Sequence, residues 1–122
     1  MRLEALPHRF TVCKIADPAA IDFSDAFCFV GKTDRELSLV CRTEVAPEQT
    51  ISREDGWRGF RVGGTLDFSL VGILSKITGI LAENRIGLFA VSTFDTDYLF
   101  VKEAQFERAL RVLAERGYTV AR

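Results

Sequence analysis

The sequence predicts an α+β protein made of two halves, each with the element order β-α-β-β-α-β and an antiparallel sheet with its helices on one face. Three observations support this prediction. Apolar residues alternate with polar ones in short runs, they recur every three or four residues in two longer runs, and part of the second half repeats in the first. We expect a degenerate first half with shortened helices at residues 1–58 and a complete second half at 59–122.

The second half begins with a predicted strand and an amphipathic helix. The strand is indicated by alternation with a period of two, at Phe60, Val62, Gly64 and Leu66. The helix is indicated by one apolar stripe at spacings of three and four, formed by Leu70, Ile73, Leu74, Ile77, Ile80 and Leu81. We expect Asp67 or Ser69 to cap its start and Asn84–Gly87 to end it.

A hairpin, a second helix and a last strand complete this half. Leu88–Thr93 and Tyr98–Val101 are predicted strands joined by a turn at 94–97. Glu103–Arg116 is a predicted helix, Gly117 follows it in the C′ position, and Tyr118–Val120 is the fourth strand. The inner face of this helix is formed by Phe106, Ala109, Leu110 and Leu113.

The first half resembles a shortened copy of the second. Strands are predicted at Phe10–Ile15, Ala26–Val30 and Leu37–Cys41. The segment from residue 34 to 40 aligns with 95–101 at an offset of 61, whereas the first strands align at an offset near 50. The missing residues fall at the first helix. We therefore expect a turn or one-turn helix at Asp17–Asp25 and a shortened second helix at Val45–Gln49.

Composition and charge exclude several classes of function. A net charge of −1, without any run of Lys or Arg, argues against a nucleic-acid partner. No apolar stretch approaches the roughly 20 residues that span a membrane, and the first residues lack the apolar core of a signal peptide. Three cysteines, Cys13, Cys28 and Cys41, are expected as reduced thiols buried on strands. These features predict a cytoplasmic protein.

The sequence contains few residues that could catalyse a reaction or bind a cofactor. His8 is the only histidine, the G-x-S-x-G motif is absent, and Ser69 at a helix start has no identifiable base. Gly63-Gly64 lacks the G-x-G-x-x-G pattern of a phosphate-binding loop. Three short carboxylates without the other ligands of a calcium loop do not predict a metal site: Asp67, Asp95 and Asp97. We therefore expect no enzyme activity, no cofactor and no metal.

Two segments of the second half together resemble an ACT domain. They are Gly64–Leu74, which contains LDFSLVGIL, and Gly87–Val101, which contains STFDTDYLFV. The combination is similar in particular to small tandem ACT proteins akin to the ACT pair of the cytosolic arginine sensors. The resemblance covers residues 59–122 well, and 33–40 resembles the N-terminal ACT-like half of the same proteins less strongly.

This resemblance implies a regulatory or sensor module that binds a small molecule, usually an amino acid, at an interface between two ACT units. It also favours a homodimer. Many ACT domains have Pro-Gly at the start of the first helix, where this chain has Leu70-Val71-Gly72 and retains only the glycine. Carried over by position, the ligand-binding loop is Asp67, Phe68, Ser69, Leu70, Val71 and Gly72. The facing strand and turn are Ser92, Thr93, Phe94, Asp95, Thr96 and Asp97.

These residue types suit an amino acid, although each has a simpler explanation. Free N–H groups at the helix start can bind a carboxylate, and the three aspartates can accept hydrogen bonds from an ammonium or guanidinium group. Alternatively, Asp67 or Ser69 is only a helix cap, and Asp95 and Asp97 only satisfy the backbone of a turn. The alternative function is a structural or interaction module that pairs through its sheets without a ligand.

Overall fold

The computed structural model describes residues 1–63 and 72–122, and within them the chain has an α+β fold with two α-helices. The helices are α1 (Ile73–Glu83) and α2 (Glu103–Glu115). The strands are β1 (Arg2–Lys14), β2 (Cys28–Lys32), β3 (Leu37–Arg42), β4 (Ser52–Val62), β5 (Leu88–Ser92), β6 (Asp97–Lys102) and β7 (Thr119–Ala121). Two single-turn 3₁₀ helices occupy Pro18–Ala20 and Thr43–Val45.

The contacts divide the chain into two compact units. One unit is His8–Trp57, and the other combines Met1–Pro7 with Arg58–Arg122. Strands β1 and β4 contribute residues to both units, because each is long enough to pass the boundary. The strand order is β2-β3-β1-β4 in the first of these units, and β4, β6 and β5 follow one another in the second, where β7 pairs with β1.

Strand β1 begins earlier than the sequence predicts. The prediction places a strand at Phe10–Ile15, but pairing with β7 extends β1 to Arg2. Arg2, Leu3 and Glu4 align with Thr119, Val120 and Ala121 of β7 in parallel. The prediction that Tyr118–Val120 closes a wholly antiparallel sheet is therefore wrong, because a pairing between the two ends of the chain leaves no trace in local periodicity.

The two predicted amphipathic helices are confirmed, and they cover the core of their unit. The buried cluster includes Ile77, Ile80 and Leu81 from α1, together with the predicted inner face of α2. Burial of such apolar side chains stabilises the fold by roughly 1.5–3 kcal/mol each. Helix α1 begins at Ile73, and Gly72 occupies the N-cap position that was expected for Asp67 or Ser69. Gly117 has a φ of 100° directly after α2, as a C′ glycine should.

The unit of residues 8–57 has short turns where the other unit has helices. Asp17 caps the 3₁₀ turn Pro18–Ala20, accepting a hydrogen bond from the Ala19 N–H at 2.9 Å. This turn lies within the segment expected to hold a one-turn helix. The second turn is Thr43–Val45 rather than the predicted helix at Val45–Gln49, because Pro47 follows at once and cannot donate a backbone hydrogen bond.

The hairpins of the two units correspond at an offset of 60 residues, not 61. Strand β2 starts at Cys28 and β5 at Leu88, while β3 starts at Leu37 and β6 at Asp97. The predicted alignment of 34–40 with 95–101 is wrong by one position. A one-residue slip exchanges the two faces of a strand, and the observed register superimposes the three consecutive buried residues of β3 on the three of β6.

No helix among the described residues is long and apolar enough to cross a membrane.

Candidate functional site

The predicted strand-and-turn residues form a closed polar network of their own. The Ser92 hydroxyl donates to Asp97 across the mouth of the hairpin, and the Thr93 N–H donates to the Thr96 carbonyl at 2.9 Å. Phe94 and Asp95 are exposed at the tip, with Phe94 80% accessible. The structure thus brings Ser92 to Asp97 and Thr93 to Thr96. Asp97 therefore bonds to a side-chain hydroxyl, while the backbone of the turn is satisfied by Thr93 and Thr96.

Thr96 ties this turn to the end of strand β4. Its hydroxyl donates to the Val62 carbonyl at 2.8 Å, and the residue is only 8% exposed. A buried hydroxyl that satisfies a backbone carbonyl has a structural role. Val62 is the last residue of β4, so Thr96 fixes the hairpin turn to the end of that strand.

Most of the predicted ligand-binding loop lies outside the described residues. These are Asp67, Phe68, Ser69, Leu70 and Val71. Gly72, the last member, is described: it has a φ of 79°, and no atom lies within 4 Å of the position that a Cβ would take. The left-handed backbone rather than crowding therefore explains why glycine stands at the start of α1.

An open cavity of about 690 Å³ runs along α1. Its size lies within the range of about 300–1,000 Å³ typical of sites for small molecules. Of the predicted site residues that the structure describes, Gly72 lies in its lining and none of the six hairpin residues does. The described residues that line it are Met1, Gly72, Ile73, Ser75, Lys76, Gly79, Ile80, Glu83, Arg116, Gly117 and Tyr118.

Three charged side chains define the electrostatics of this cavity. Arg116 Nη1 lies 3.0 Å from Glu83 Oε2, and both side chains are more than half exposed, at 53% and 64%. An ion pair this exposed is worth about 0–1 kcal/mol. Lys76 lies on α1 between Gly72 and Glu83, and no ion-pair partner for it is found among residues 1–63 and 72–122. The lining therefore holds two cations and one anion.

The sequence analysis did not identify these charged residues. Lys76 and Glu83 lie seven positions apart, two turns of α1, so they share one helical face. That spacing could have indicated a polar groove beside the apolar stripe. Arg116 was placed in the last turn of a helix and given no role, because its approach to Glu83 depends on how α1 and α2 pack.

The other unit contains a second, smaller cavity of about 440 Å³. It lies between the connection that follows β1 and the segment from Pro47 to Ile51. Asp17 and Glu48 are its charged residues, and Asp17 already caps the neighbouring turn. In sequence order, this connection follows the first strand of its half, as the predicted ligand loop follows the first strand of the other half.

The three thiols lie on neighbouring strands, with Cys13 and Cys41 buried and Cys28 partly buried. Cys28 pairs with Cys41 in the register of β2 and β3, and Cys13 belongs to the same apolar cluster as Cys41. Burial raises the pKa of the Cys41 thiol to about 12, with smaller contributions from the two neighbouring thiols. The expected burial on strands is confirmed for Cys13 and Cys41, whereas Cys28 is only partly buried. In the described part of the chain, no group of three or more His, Cys, Asp and Glu side chains is arranged to hold a metal ion.

Comparison with solved structures shows extensive similarity. Protein Atu0741 from Agrobacterium tumefaciens is 32% identical, with a TM-score of 0.86 over 98% of this chain and 90% of that one. Protein VC0802 from Vibrio cholerae is 19% identical, with a TM-score of 0.73 over 93% and 88% of the two chains. The regulatory subunit of aspartate kinase from Thermus thermophilus is 12% identical, with a TM-score of 0.65 over 94% and 96%. The last two similarities concern the fold alone.

The family assignment rests on the sequence. No curated protein matches this chain. The model of the ACT domain family matches residues 52–115, which is more than half of the sequence. This segment contains β4, both α-helices and the hairpin between them. The chain therefore belongs to the ACT domain family.

Proposed function

We propose that this protein is a non-enzymatic regulatory module that binds a small molecule, and that the ligand is an amino acid. The observation that supports the loop part of this site most directly is the cavity of about 690 Å³ that reaches Gly72 in an ACT domain. The hairpin residues do not line this cavity, and they enter the proposal through the family resemblance. In this proposal the ligand contacts the loop Asp67, Phe68, Ser69, Leu70, Val71 and Gly72, and the facing segment Ser92, Thr93, Phe94, Asp95, Thr96 and Asp97.

The chemistry of the described residues is compatible with such a ligand. A cation, Lys76, stands one helical turn beyond Gly72 and can attract a carboxylate. Asp95 is exposed at the hairpin tip and can accept hydrogen bonds from an ammonium group. Asp97 already accepts one from Ser92, so its remaining oxygen lone pairs are the ones left for a ligand.

The proposed organisation follows the family and the fold. It consists of a degenerate ACT-like half at 1–58 and an ACT domain at 59–122, each derived from a ferredoxin-like unit, as in tandem ACT proteins. The fold shared with the regulatory subunit of aspartate kinase supports a regulatory rather than a catalytic role. The specific resemblance to arginine sensors makes arginine one candidate among the amino acids.

The proposal also includes a cytoplasmic homodimer that binds neither nucleic acid nor membranes. The net charge of −1 supports the absence of a nucleic-acid partner. Light scattering during size-exclusion chromatography tests the dimer: the expected mass is twice the 13.7 kDa of the chain. Elution at the mass of one chain across all accessible concentrations would remove the dimer from the proposal.

Thermal unfolding of the full chain against each of the twenty amino acids tests the ligand. A ligand at about one hundred times its dissociation constant stabilises the folded state by about 2.7 kcal/mol and raises the melting temperature. Asp95→Asn should reduce the shift. The matched control is Asp34→Asn, which removes the same charge from the first hairpin. If no amino acid raises the melting temperature at millimolar concentration, the amino-acid proposal is wrong.

One observation favours the alternative of an interaction module. Strand β5 ends the strand order β4-β6-β5, and its sequence, Leu88–Ser92, contains no charged residue and no proline. Unprotected edges of this kind pair with other strands. Ala90→Lys places a charge on an exposed position of this edge. Loss of dimers in this variant, together with no ligand effect in the wild type, would support the interaction module instead.

A further inference from the structure

The described lining of the cavity along α1 carries an excess of positive side-chain charge. Among these residues, Lys76 and Arg116 are cations and Glu83 is an anion, so their side-chain charges sum to +1. A concave site with an excess of one sign raises the local concentration of ligands of the other sign. The excess therefore points to an anionic ligand.

Arg116 can bind an anion without leaving Glu83. A guanidinium group has five N–H donors in a planar fork, and its contact with Glu83 uses Nη1. The other donors of this side chain have no hydrogen-bond partner among the residues that the structure describes. Since a carboxylate accepts two parallel hydrogen bonds from such a fork, Arg116 is suited to hold one carboxylate group.

Lys76 provides a second cation at a different level of the cavity. It precedes Glu83 by seven residues on α1, and with a rise of about 1.5 Å per residue the two levels are about 10 Å apart along the helix axis. Arg116 reaches the Glu83 level. Two cationic groups separated in this way match a ligand with an anionic group at each end.

The wall between the two cations is apolar and open. Gly79 and Ile80 line it between the levels of Lys76 and Glu83, and Ile80 is 7% exposed. A Cβ added at Gly79 would meet no atom of the described residues within 4 Å, so the helix surface is free of side-chain bulk at this point. A short methylene chain can lie over Gly79 and the exposed edge of Ile80.

We propose that this cavity binds a small dicarboxylate, with one carboxylate at Lys76, the other at Arg116 and the methylene chain over Gly79 and Ile80. The inference rests on the proposed function in taking the cavity as the ligand site. It adds the charge class of the ligand and two residues that recognise it.

Four compounds of similar length and different charge test the proposal: adipate, hexanoate, 6-aminohexanoate and 1,6-diaminohexane. Calorimetric titration of the full chain should give the order adipate, then hexanoate, with no binding of the diamine. Amide chemical shifts should move at Ile73–Glu83 and Arg116–Tyr118. If 6-aminohexanoate binds more tightly than adipate, then Glu83 rather than Arg116 recognises the second end, and the proposal is overturned. Failure of adipate to bind at millimolar concentration also overturns it.

Charge variants separate recognition from structure. Arg116→Gln and Lys76→Gln should each weaken adipate binding by about tenfold, since a hydrogen bond to a charged group is lost. Glu83→Gln should tighten it by about threefold, because a competing anion is removed from an exposed pair. Arg111→Gln, an exposed charge on α2 outside the cavity, is the matched control and should leave binding unchanged.

The outcomes distinguish this inference from the proposed function. Unfolding midpoints without ligand should be the same for the wild type and all four variants, which excludes a merely structural effect. An amino acid that stabilises the protein while adipate does not bind would overturn the dicarboxylate and retain the regulatory module. Weakened binding in Glu83→Gln would overturn the role given to Arg116.

Discussion

The hairpins β2–β3 and β5–β6 are built alike, but the chain continues from them in different ways. The Thr33 N–H donates to the Glu36 carbonyl at 2.9 Å, as the Thr93 N–H does to the Thr96 carbonyl. Arg42 and Lys102, which end the two hairpins, have nearly the same backbone angles, with φ near −60° and ψ near 140°. After Arg42 the chain makes a single 3₁₀ turn, whereas after Lys102 it makes a helix of 13 residues.

A proline accounts for the difference. Pro47 is the fifth residue after Arg42, and the residue before it, Ala46, is extended, with a φ of −65° and a ψ of 141°. Proline disfavours helical angles in the preceding residue and provides no N–H for the helix. The equivalent position at an offset of 60 is Glu107, inside α2. The two units therefore share the arrangement of their hairpin strands, although only one of them has α-helices among the described residues.

The loss of helices also changes what covers the strands. Leu99 on β6 lies in a cluster with residues of α1 and α2, whereas its equivalent Leu39 on β3 lies with thiols and the short 43–46 segment. The cavity along α1 depends on the helices as well, since α1 and the residues after α2 form most of its lining. The cavity of about 690 Å³ therefore belongs to the helical unit.

The strongest test transfers the proline to the equivalent place. Glu107→Pro should break α2 after its first turn and destabilise the protein by about 3 kcal/mol or more, because Ala109, Leu110 and Leu113 lose their positions in the core. Far-ultraviolet circular dichroism should show the loss of helix.

Glu107→Ala is the control for this proline. It removes only the exposed contacts of Glu107 with Arg122 and should have little effect. Retention of the wild-type helix content in Glu107→Pro would show that Pro47 does not explain the short turn in the other unit.

Paired truncations of equivalent leucines measure the contribution of the helices. Leu99→Ala should lower the free energy of unfolding by about 4 kcal/mol, and Leu39→Ala by about 2.5 kcal/mol, because short turns can collapse into a cavity more easily than two packed helices. Both side chains are at most 2% exposed, so burial itself is matched. Urea unfolding provides the measurement. Equal losses would mean that the short turns are as rigid as the helices.

A hydroxyl distinguishes the two turns. Thr96→Val should lower the free energy of unfolding by about 2 kcal/mol, because the Val62 carbonyl is left buried without its donor. The equivalent residue of the first hairpin, Glu36, is exposed, and Glu36→Gln should change stability little. If both variants are neutral in urea unfolding, Thr96 does not anchor the hairpin to β4.

The smallest expected effect is a dependence on pH in the unit of residues 8–57. The guanidinium of Arg42 contacts both carboxylate oxygens of Asp25 at 3.1 Å, and this hydrogen bonding lowers the pKa of Asp25 below its ordinary value of 3.8. A carboxyl whose pKa is lowered by folding adds stability above its unfolded pKa, and this stability is lost as the pH falls through the folded pKa.

Asp25→Asn removes this titration. The variant should be less stable than the wild type near neutral pH, and the difference should shrink as the pH falls below 3.8, the ordinary value for the side chain. Urea unfolding at a series of pH values provides the measurement. A difference that does not change with pH would show that the Asp25–Arg42 pair contributes no titrating stability.

How well each element could be predicted depends on how far apart its interacting residues lie in the sequence. The stripes of α1 and α2 were visible in the sequence, because residues three and four apart lie on one helical face. The hairpins were visible as well, from alternation and turn residues. The repeat was found but its register was wrong by one, since seven weakly similar residues align almost equally well at either offset.

The predicted site depended least on periodicity and most on resemblance. Gly72 was placed at the start of a helix, where the structure has it, next to a cavity. Asp67, Phe68, Ser69, Leu70 and Val71 lie outside the described residues, and the contribution of Ser92–Asp97 to a ligand site stays a prediction. Lys76 and Arg116 were missed as a pair because nothing local relates two charges on different elements.

The sequence by itself determined the α+β class, the two amphipathic helices, the hairpins and the position of the three thiols on strands. Each of these follows from residues close together along the chain, whose side chains share a face or a turn. Only the tertiary structure decided that Arg2 pairs with Thr119 in β7 and that Glu83 meets Arg116 at the ends of two helices. Such contacts join distant residues, and their geometry depends on the packing of whole elements rather than on any local pattern.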